Sequence, residues 1–487
     1  MNEDLTRLEP AKVWTFFREI LSIPRPSKKE EKVINYLLAF AKERNLEAVK
    51  DEIGNILIRK PATPGMENKK SVVLQSHIDM VCEKNSDKVH DFENDPIEAY
   101  VEGGWVKANG TTLGGDDGIG VAVELALLDS KDISHGPLEC LFTIDEETGL
   151  TGAFGLKPDF LKSNILLNLD SEDEGQLFIG CAGGQDTICW LPYEKETVPA
   201  GLKSYKIMVS GLTGGHSGDD INKNRGNANK ILNRFLWANK DKHQMKLSIF
   251  DGGNLRNAIA REAYAVVMLP KEKADSLISE AKAFEKVARN EFHTTESGLQ
   301  ISVAETDQPE TVIRDEDFTK LVQSVYACPH GVIAMSQDIP NFVETSTNLA
   351  SVKFTEKEIV VTTSQRSSVE SEKWDATNMI TSLFSMAGGH CKTSEGYPGW
   401  TPNPHSEIVD LTESTYKKLF NVQPKVLAIH AGLECGLIGH KYPKMDMVSY
   451  GPTIKGAHSP DERLEIESVQ KFWKLTLEVL KNIPDEK

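Results

Sequence analysis

The sequence predicts an α/β protein with a mostly parallel sheet, interrupted by an inserted α+β domain. Three observations carry this. Short Val/Ile/Leu-rich strands alternate with helices in the first part of the 487-residue chain. The same alternation resumes near the end. Between them lie strands of alternating polarity in a different order, as expected of a sheet with one face covered.

Taken in order, Val13, Phe16, Phe17, Ile20 and Leu21 fall on one face of an opening helix, whose charged start lacks the apolar run of a signal peptide. KKEEKVINYLLAFAKERN reads as a second helix and SVVLQSHIDM as a buried strand. GGDDGIGVAVELALLDS reads as a loop then a helix, and PLECLFTIDEETG and NILLNLDSED each as a strand then a loop. The middle gives strands SYKIMVSG, MKLSIFDGG, AYAVVMLP and LQISVAETD with helices NANKILNRFLWANK and ADSLISEAKAFEKVARNEF, in the order β-α-β-β-α-β. A similar run follows: DEDFTKLVQSVYA as helix, ASVKF and KEIVVTTSQ as strands, WDATNMITSLFSM as helix. The inserted domain is therefore expected to hold two related units in tandem. KVLAIHAGLECGLIG, DMVSYGPTIKGAHSP and the helix SVQKFWKLTLEVLKN complete the outer domain. The expected boundaries are 1–187 and 400–487 for the outer domain and 188–399 for the insert. The Gly/Pro-rich segments GCAGGQD and GYPGWTPNPH serve as junctions.

Composition narrows the function. A formal net charge of −18 argues against a nucleic-acid partner, since an excess of carboxylates does not replace counterions along a phosphate backbone. No apolar run reaches membrane-spanning length, so no membrane partner is expected. Seven scattered cysteines without a CxxC pair are expected to be reduced thiols in the cytoplasm, not a disulfide framework or a cysteine-ligated zinc site.

Potential metal ligands gather where an open α/β sheet places its functional groups, past the carboxyl ends of strands. His77 follows SVVLQS, with Asp79 two residues on; Asp116 lies in GGDDG; Glu146 and Glu147 follow CLFTID; Asp170 follows NILLNL; His458 follows MVSYGPTIKGA. Two histidines and several carboxylates brought together are costly alone and favourable around divalent cations. A phosphate-cradling role for GGDDG fails, because Asp116 and Asp117 would repel the anion and the spacing matches no nucleotide motif. GGHSG is not a serine-nucleophile elbow either, since Asp219 stands where that motif needs glycine.

SHIDMV, GGDDGIG, DEETG, NLDSED and GAHSPDE, in this order along the chain, resemble the metal motifs of the metallopeptidase family that holds aminoacylases, glutamate-releasing carboxypeptidases and carnosinases. The likeness spans essentially the whole chain and is closest to the dipeptidases of that family. It implies two zinc ions per subunit, with cobalt or manganese as substitutes. His77 and Asp170 would hold one, Glu147 and His458 the other, and Asp116 would bridge them. Glu146 would be the general base toward a bridging hydroxide, and Asp79 would orient His77. The insert resembles the family's lid. By the same likeness His216 would polarise the scissile carbonyl, Asn257 and Arg366 would hold substrate, and Gly432 would lie near the substrate carboxylate. The implied activity is hydrolysis of dipeptides with a free C-terminal carboxylate, Xaa-His dipeptides and carnosine among them, by a cytoplasmic homodimer. A deacylase or carboxypeptidase on the same scaffold stays open, as does a non-catalytic metal-dependent binding protein, since fold does not fix substrate.

Overall fold

In the computed structural model, which describes residues 5–403 and 405–486, the chain divides into two compact units. Pro404 of the expected junction, and the first residues of the charged amino-terminal stretch, lie outside the described residues. One unit runs up to Gly180 and takes in Pro402–Ala428 and the chain from Leu433 onward; the other is Cys181–Thr401 with Ile429–Gly432.

The first unit is built on an open sheet whose strands β1 (Glu47–Lys50), β2 (Ile56–Lys60), β3 (Val72–His77), β4 (Leu138–Thr143) and β5 (Ile165–Asn168) lie in the order β1-β2-β4-β3-β5, followed by Asp446–Ser449. Strand β3 pairs in parallel with β4 and β5, and β5 in parallel with Asp446–Ser449. The pairs β1-β2 and β2-β4 are antiparallel. The parallel part is thus the centre, and every residue of β3, β4 and β5 is buried there, as strands covered on both faces must be. Helix α1 (Ala11–Leu21) buries Val13, Trp14, Phe16, Phe17, Ile20 and Leu21 and packs on helix α2 (Gly115–Asp129). Helix α2 is apolar around most of its circumference and buried along most of its length, which fits a core helix. The DEETG segment, expected as loop, forms a short helix, Glu146–Gly149, entered through Asp145 in the left-handed region.

The second unit is built on a large antiparallel sheet. Its main strands are β6 (Gly183–Pro192), β7 (Leu202–Ser210), β8 (Lys246–Gly252), β9 (Ala263–Pro270), β10 (Gln300–Glu305), β11 (Val343–Phe354), β12 (Glu358–Ser367) and β13 (His390–Thr393). The order is β10-β7-β9-β8-β11-β12-β6-β13. Helices α3 (Ala228–Asn239) and α4 (Ala274–Glu291) complete a β-α-β-β-α-β unit with β7 to β10. Helices α5 (Asp315–Ala327) and α6 (Glu370–Met386) complete a second such unit with β11 to β13, and its first strand is β6. The two units are therefore nested: the first is inserted after the opening strand of the second. They join where Gly252 of β8 faces Val352 of β11. Side chains of all four helices, including Phe235, Leu277, Phe318 and Phe384, share one core with the sheet. Asn227 caps α3, its side chain accepting from the amides of Asn229 and Lys230.

Strand β6 also moves the boundary. It pairs with β12 from Gly183 to Pro192, so residues 181–187, expected in the outer domain, belong to the second unit. The expectation of seven reduced thiols is corrected as well. Cys189 and Cys391, facing each other across β6 and β13, form a disulfide that ties the first strand of the second β-α-β-β-α-β unit to its last. The other five cysteines take part in no disulfide. Among the described residues no helix is long and apolar enough to cross a membrane.

Candidate active site

Buried polar groups fix the loops that leave the parallel strands. Arg25, 1% exposed, donates to the carbonyl oxygens of Ile78 (3.1 Å), Asp79 (2.6 Å) and Gly114 (2.5 Å). It thereby ties the turn after β3 to the GGDDG loop. Burial lowers the pKa of the guanidinium, opposed by the charges of Asp79, Glu462, Asp117 and Asp116. From the other side the Glu462 carboxylate accepts from the backbone N–H groups of Leu113 (2.7 Å), Gly114 (2.9 Å), Gly115 (2.8 Å) and Asp116 (3.3 Å). Gly114 has φ +69°, and a Cβ there would stand 2.6 Å from Arg25 Nη2, so both conformation and space demand glycine.

At the end of β3, His77 Nε2 lies 3.0 Å from Asp116 Oδ1 and 3.5 Å from Asp170 Oδ1. The other oxygen of Asp116, Oδ2, lies 3.2 Å from His458 Nε2, which is itself 3.0 Å from Glu147 Oε2. Two clusters thus share one carboxylate: His77, Asp116 and Asp170 on one side, Asp116, Glu147 and His458 on the other. Glu146 joins His77 and Glu147 in a third grouping. Asp79, fully buried, has Oδ1 3.3 Å from His77 Nδ1 and accepts the amides of Glu146 (3.0 Å) and Glu147 (3.2 Å), with Ser27 Oγ at 2.8 Å. All seven residues expected in the first unit come together.

The electrostatics of this crowding are severe. Burial pushes Asp170 and Glu146 well above the usual carboxylate range, with Asp116 adding to the first and Asp170 to the second. Burial opposes the His77 cation, but Asp170, Asp116 and Asp79 outweigh it and hold the imidazole well above its ordinary pKa. Hydrogen bonds to Asp116 and Glu147 push His458 up to about 11. Asp116, despite burial, is held low by His458 and His77. Glu147 Oε1 is buried without a hydrogen-bond partner. Packed nitrogen and carboxylate donors that must otherwise share protons suit divalent cations of the first transition row.

The second unit gathers three of its four expected residues. Arg366, 8% exposed, donates through Nη1 to the Tyr397 hydroxyl (3.2 Å), and its Nη2 lies 3.5 Å from His216 Nε2. His216 Nδ1 stands 3.2 Å from the Asp219 carboxylate and accepts the Asp219 amide at the same distance. Gly432 lies against the Tyr397 ring, where a Cβ would come within 2.8 Å of Cε2. Asn257 joins them only through its backbone: the residue is exposed, but its carbonyl accepts from Ser217 N (2.8 Å) next to His216, and Asn348 holds the carbonyls of Arg256 and Ala258 on either side.

Sequence reasoning passed over Arg25, Tyr397, Glu434 and Glu462. Glu434 is fully buried, its Oε2 accepting from Gln75 Nε2 and Thr143 Oγ1 (both 2.6 Å), and burial raises its pKa to about 7. Glu462 and Glu434 stood inside GAHSPDE and HAGLECG, four residues beyond His458 and His430 respectively. Arg25 and Tyr397 carried no comparable local signal.

The pattern that defines Peptidase family M20/M25/M40 matches residues 73–482. The chain is 45% identical over 481 residues to the cytosol non-specific dipeptidase of Escherichia coli (strain K12), a match covering 99% of each chain. The crystal structure of aminoacylhistidine dipeptidase from Vibrio alginolyticus matches with a TM-score of 0.93 and 44% identity, over 100% of this chain and 99% of that one. Aminopeptidase PepT from Bacillus cereus shares the fold, with a TM-score of 0.57 at 14% identity, over 98% of this chain and 99% of that one. The chain belongs to peptidase family M20/M25/M40. It is a metal-dependent peptide hydrolase.

Proposed function

We infer that the protein is a cytosolic metallodipeptidase using two zinc ions, and that it hydrolyses dipeptides with a free C-terminal carboxylate, Xaa-His dipeptides and carnosine among them. The observation that carries this reading is Asp116, whose two oxygens each face a different histidine, as a carboxylate shared by two cations requires. His77 and Asp170 are the ligands on one side, Glu147 and His458 on the other. The names of the two dipeptidase relatives support the dipeptide substrate. A homodimer is the assembly we attach to this reading, and sedimentation equilibrium tests it.

Zinc bound by these donors supplies Lewis acidity to the scissile carbonyl and acidifies water. The chain's own residues do the rest. Glu146 takes the proton from the attacking water and returns it to the leaving nitrogen. Asp79 holds the His77 ring through Nδ1 and fixes the amides on which Glu146 and Glu147 are mounted. His216 donates to the developing oxyanion through Nε2, its ring held at Nδ1 beside the Asp219 carboxylate. Arg366 grips the substrate carboxylate, and Asn257 contacts the peptide.

The test is an assay of alanyl-histidine, carnosine and an N-acetyl amino acid with the zinc-loaded protein. Cleavage of alanyl-histidine and carnosine, with the acetyl compound refused, is the expected result. Preference for the acetyl compound would make it a deacylase, and no turnover at all would leave a binding protein.

A further inference from the structure

The guanidinium of Arg366 is a buried cation short of partners. Its Nε is enclosed and makes no hydrogen bond. Nη1 meets only a phenol, Nη2 faces an imidazole nitrogen at 3.5 Å, and no ion pair among the described residues includes it. A buried charge in that position calls for an anionic ligand.

Tyr397 stands beside it on a deliberately narrow mount. Its backbone exchanges hydrogen bonds with Gly184, N to O at 2.9 Å and O from N at 3.0 Å, and Lys373 Nζ donates to its carbonyl at 2.7 Å. The ring runs between Gly184 and Gly432, where added Cβ atoms would stand 2.7 Å from Cζ and 2.8 Å from Cε2. Two glycines therefore clear the path that brings the hydroxyl to Arg366. Gly432, expected near the substrate carboxylate, leaves room for this ring. The hydroxyl accepts one N–H from Arg366 and still has its proton to donate. Burial keeps the phenol above its ordinary pKa, although Arg366 opposes this, so the proton stays on the oxygen across the neutral range.

We propose that Tyr397 is a specificity-determining residue whose hydroxyl donates to the terminal carboxylate of the substrate, completing with Arg366 a two-part carboxylate site. This rests on the free-carboxylate dipeptidase reading above. A guanidinium alone holds an anion by charge. The added phenol donates to one oxygen and so favours a carboxylate, with two acceptors, over an amide, whose NH₂ would meet the Tyr397 proton donor to donor.

The experiment is steady-state kinetics on alanyl-histidine and its C-terminal amide for wild type, Tyr397→Phe, Arg366→Ala and the double variant, all zinc-loaded and matched for Tm and metal content. Tyr397→Phe keeps the ring between its glycines and removes only the hydroxyl. It is expected to raise KM for the free acid on the order of ten-fold, with kcat changed much less and the amide not weakened. A further loss for the free acid when Tyr397→Phe is added to Arg366→Ala is also expected, since the phenol touches the carboxylate directly. An unchanged acid-to-amide ratio in Tyr397→Phe, or no added loss in the double variant, would overturn the proposal while leaving the dipeptidase reading intact. A wild-type enzyme that cleaves the amide as well as the acid would overturn the free-carboxylate reading and this proposal with it.

Discussion

Asp79 Oδ1 accepts the backbone N–H of Glu146 at 3.0 Å while standing 3.3 Å from His77 Nδ1. One carboxylate thus links the ring proposed as a metal ligand to the segment carrying the proposed base. Asp79→Asn keeps the volume but replaces one acceptor oxygen by an amide NH₂, which can only donate and so faces the contacts that oxygen accepted. We expect kcat/KM and zinc affinity each to fall about 10- to 100-fold. Isothermal titration with zinc alongside kinetics checks this, and wild-type zinc affinity in the variant would contradict it.

The adjacent glutamates are expected to separate cleanly. Glu147 faces His458 through Oε2 at 3.0 Å, whereas Glu146 makes no such contact with that histidine. Glu146→Ala should lose at least about 1,000-fold in kcat with metal content near wild type, and Glu147→Ala should lose metal as well. Metal analysis of the two purified variants decides; equal metal loss in both would show the roles to be exchanged or shared.

The disulfide makes a counting prediction. Protein denatured without reductant, with free thiols blocked against exchange, should titrate five thiols, and seven after reduction. Cys189→Ser should then release Cys391 as a reactive thiol. Seven thiols without reduction would remove the Cys189–Cys391 bond from the native protein.

His430 sets a pH dependence of stability. It is 7% exposed, its Nε2 lies 2.7 Å from Ser346 Oγ, and burial, helped by Arg366, lowers its pKa to about 3 from 6.5. Below pH 6.5 the unfolded chain therefore takes up a proton that the folded chain refuses. The stability this histidine contributes is complete above pH 6.5 and is lost on acidification at about 1.4 kcal/mol per pH unit. Urea midpoints between pH 7 and 5 should show this slope in wild type and one proton less of it in His430→Asn. Identical slopes in the two proteins would contradict the buried neutral imidazole.

Much of this was legible in the sequence because the chemistry sits where strands end. His77, Asp79, Asp116, Glu146, Glu147, Asp170 and His458 each follow or begin a strongly patterned element, and pattern fixes direction. The nesting of the second unit was not legible, because strand β6 is separated from its partner β12 by more than 160 residues and pairing at that range leaves no local trace. Cys189 and Cys391 were hidden for the same reason, with a sequence separation of 202. Tyr397 sat in a Gly/Pro-rich stretch that reads as a junction, and only the ring's seat between Gly184 and Gly432 gives it another role. Arg25 binds carbonyl oxygens, and a residue that acts on backbone leaves no complementary side chain to find.

A pair of zinc ions sharing Asp116 is tested by a zinc titration of chelator-stripped protein followed by metal analysis and alanyl-histidine turnover at each step. Expected are no turnover in the stripped protein, two zinc ions bound per chain at saturation, and a fall below two in Asp116→Asn. Full turnover in protein that retains no divalent metal, or saturation at one zinc ion with Asp116→Asn unaffected, would contradict it.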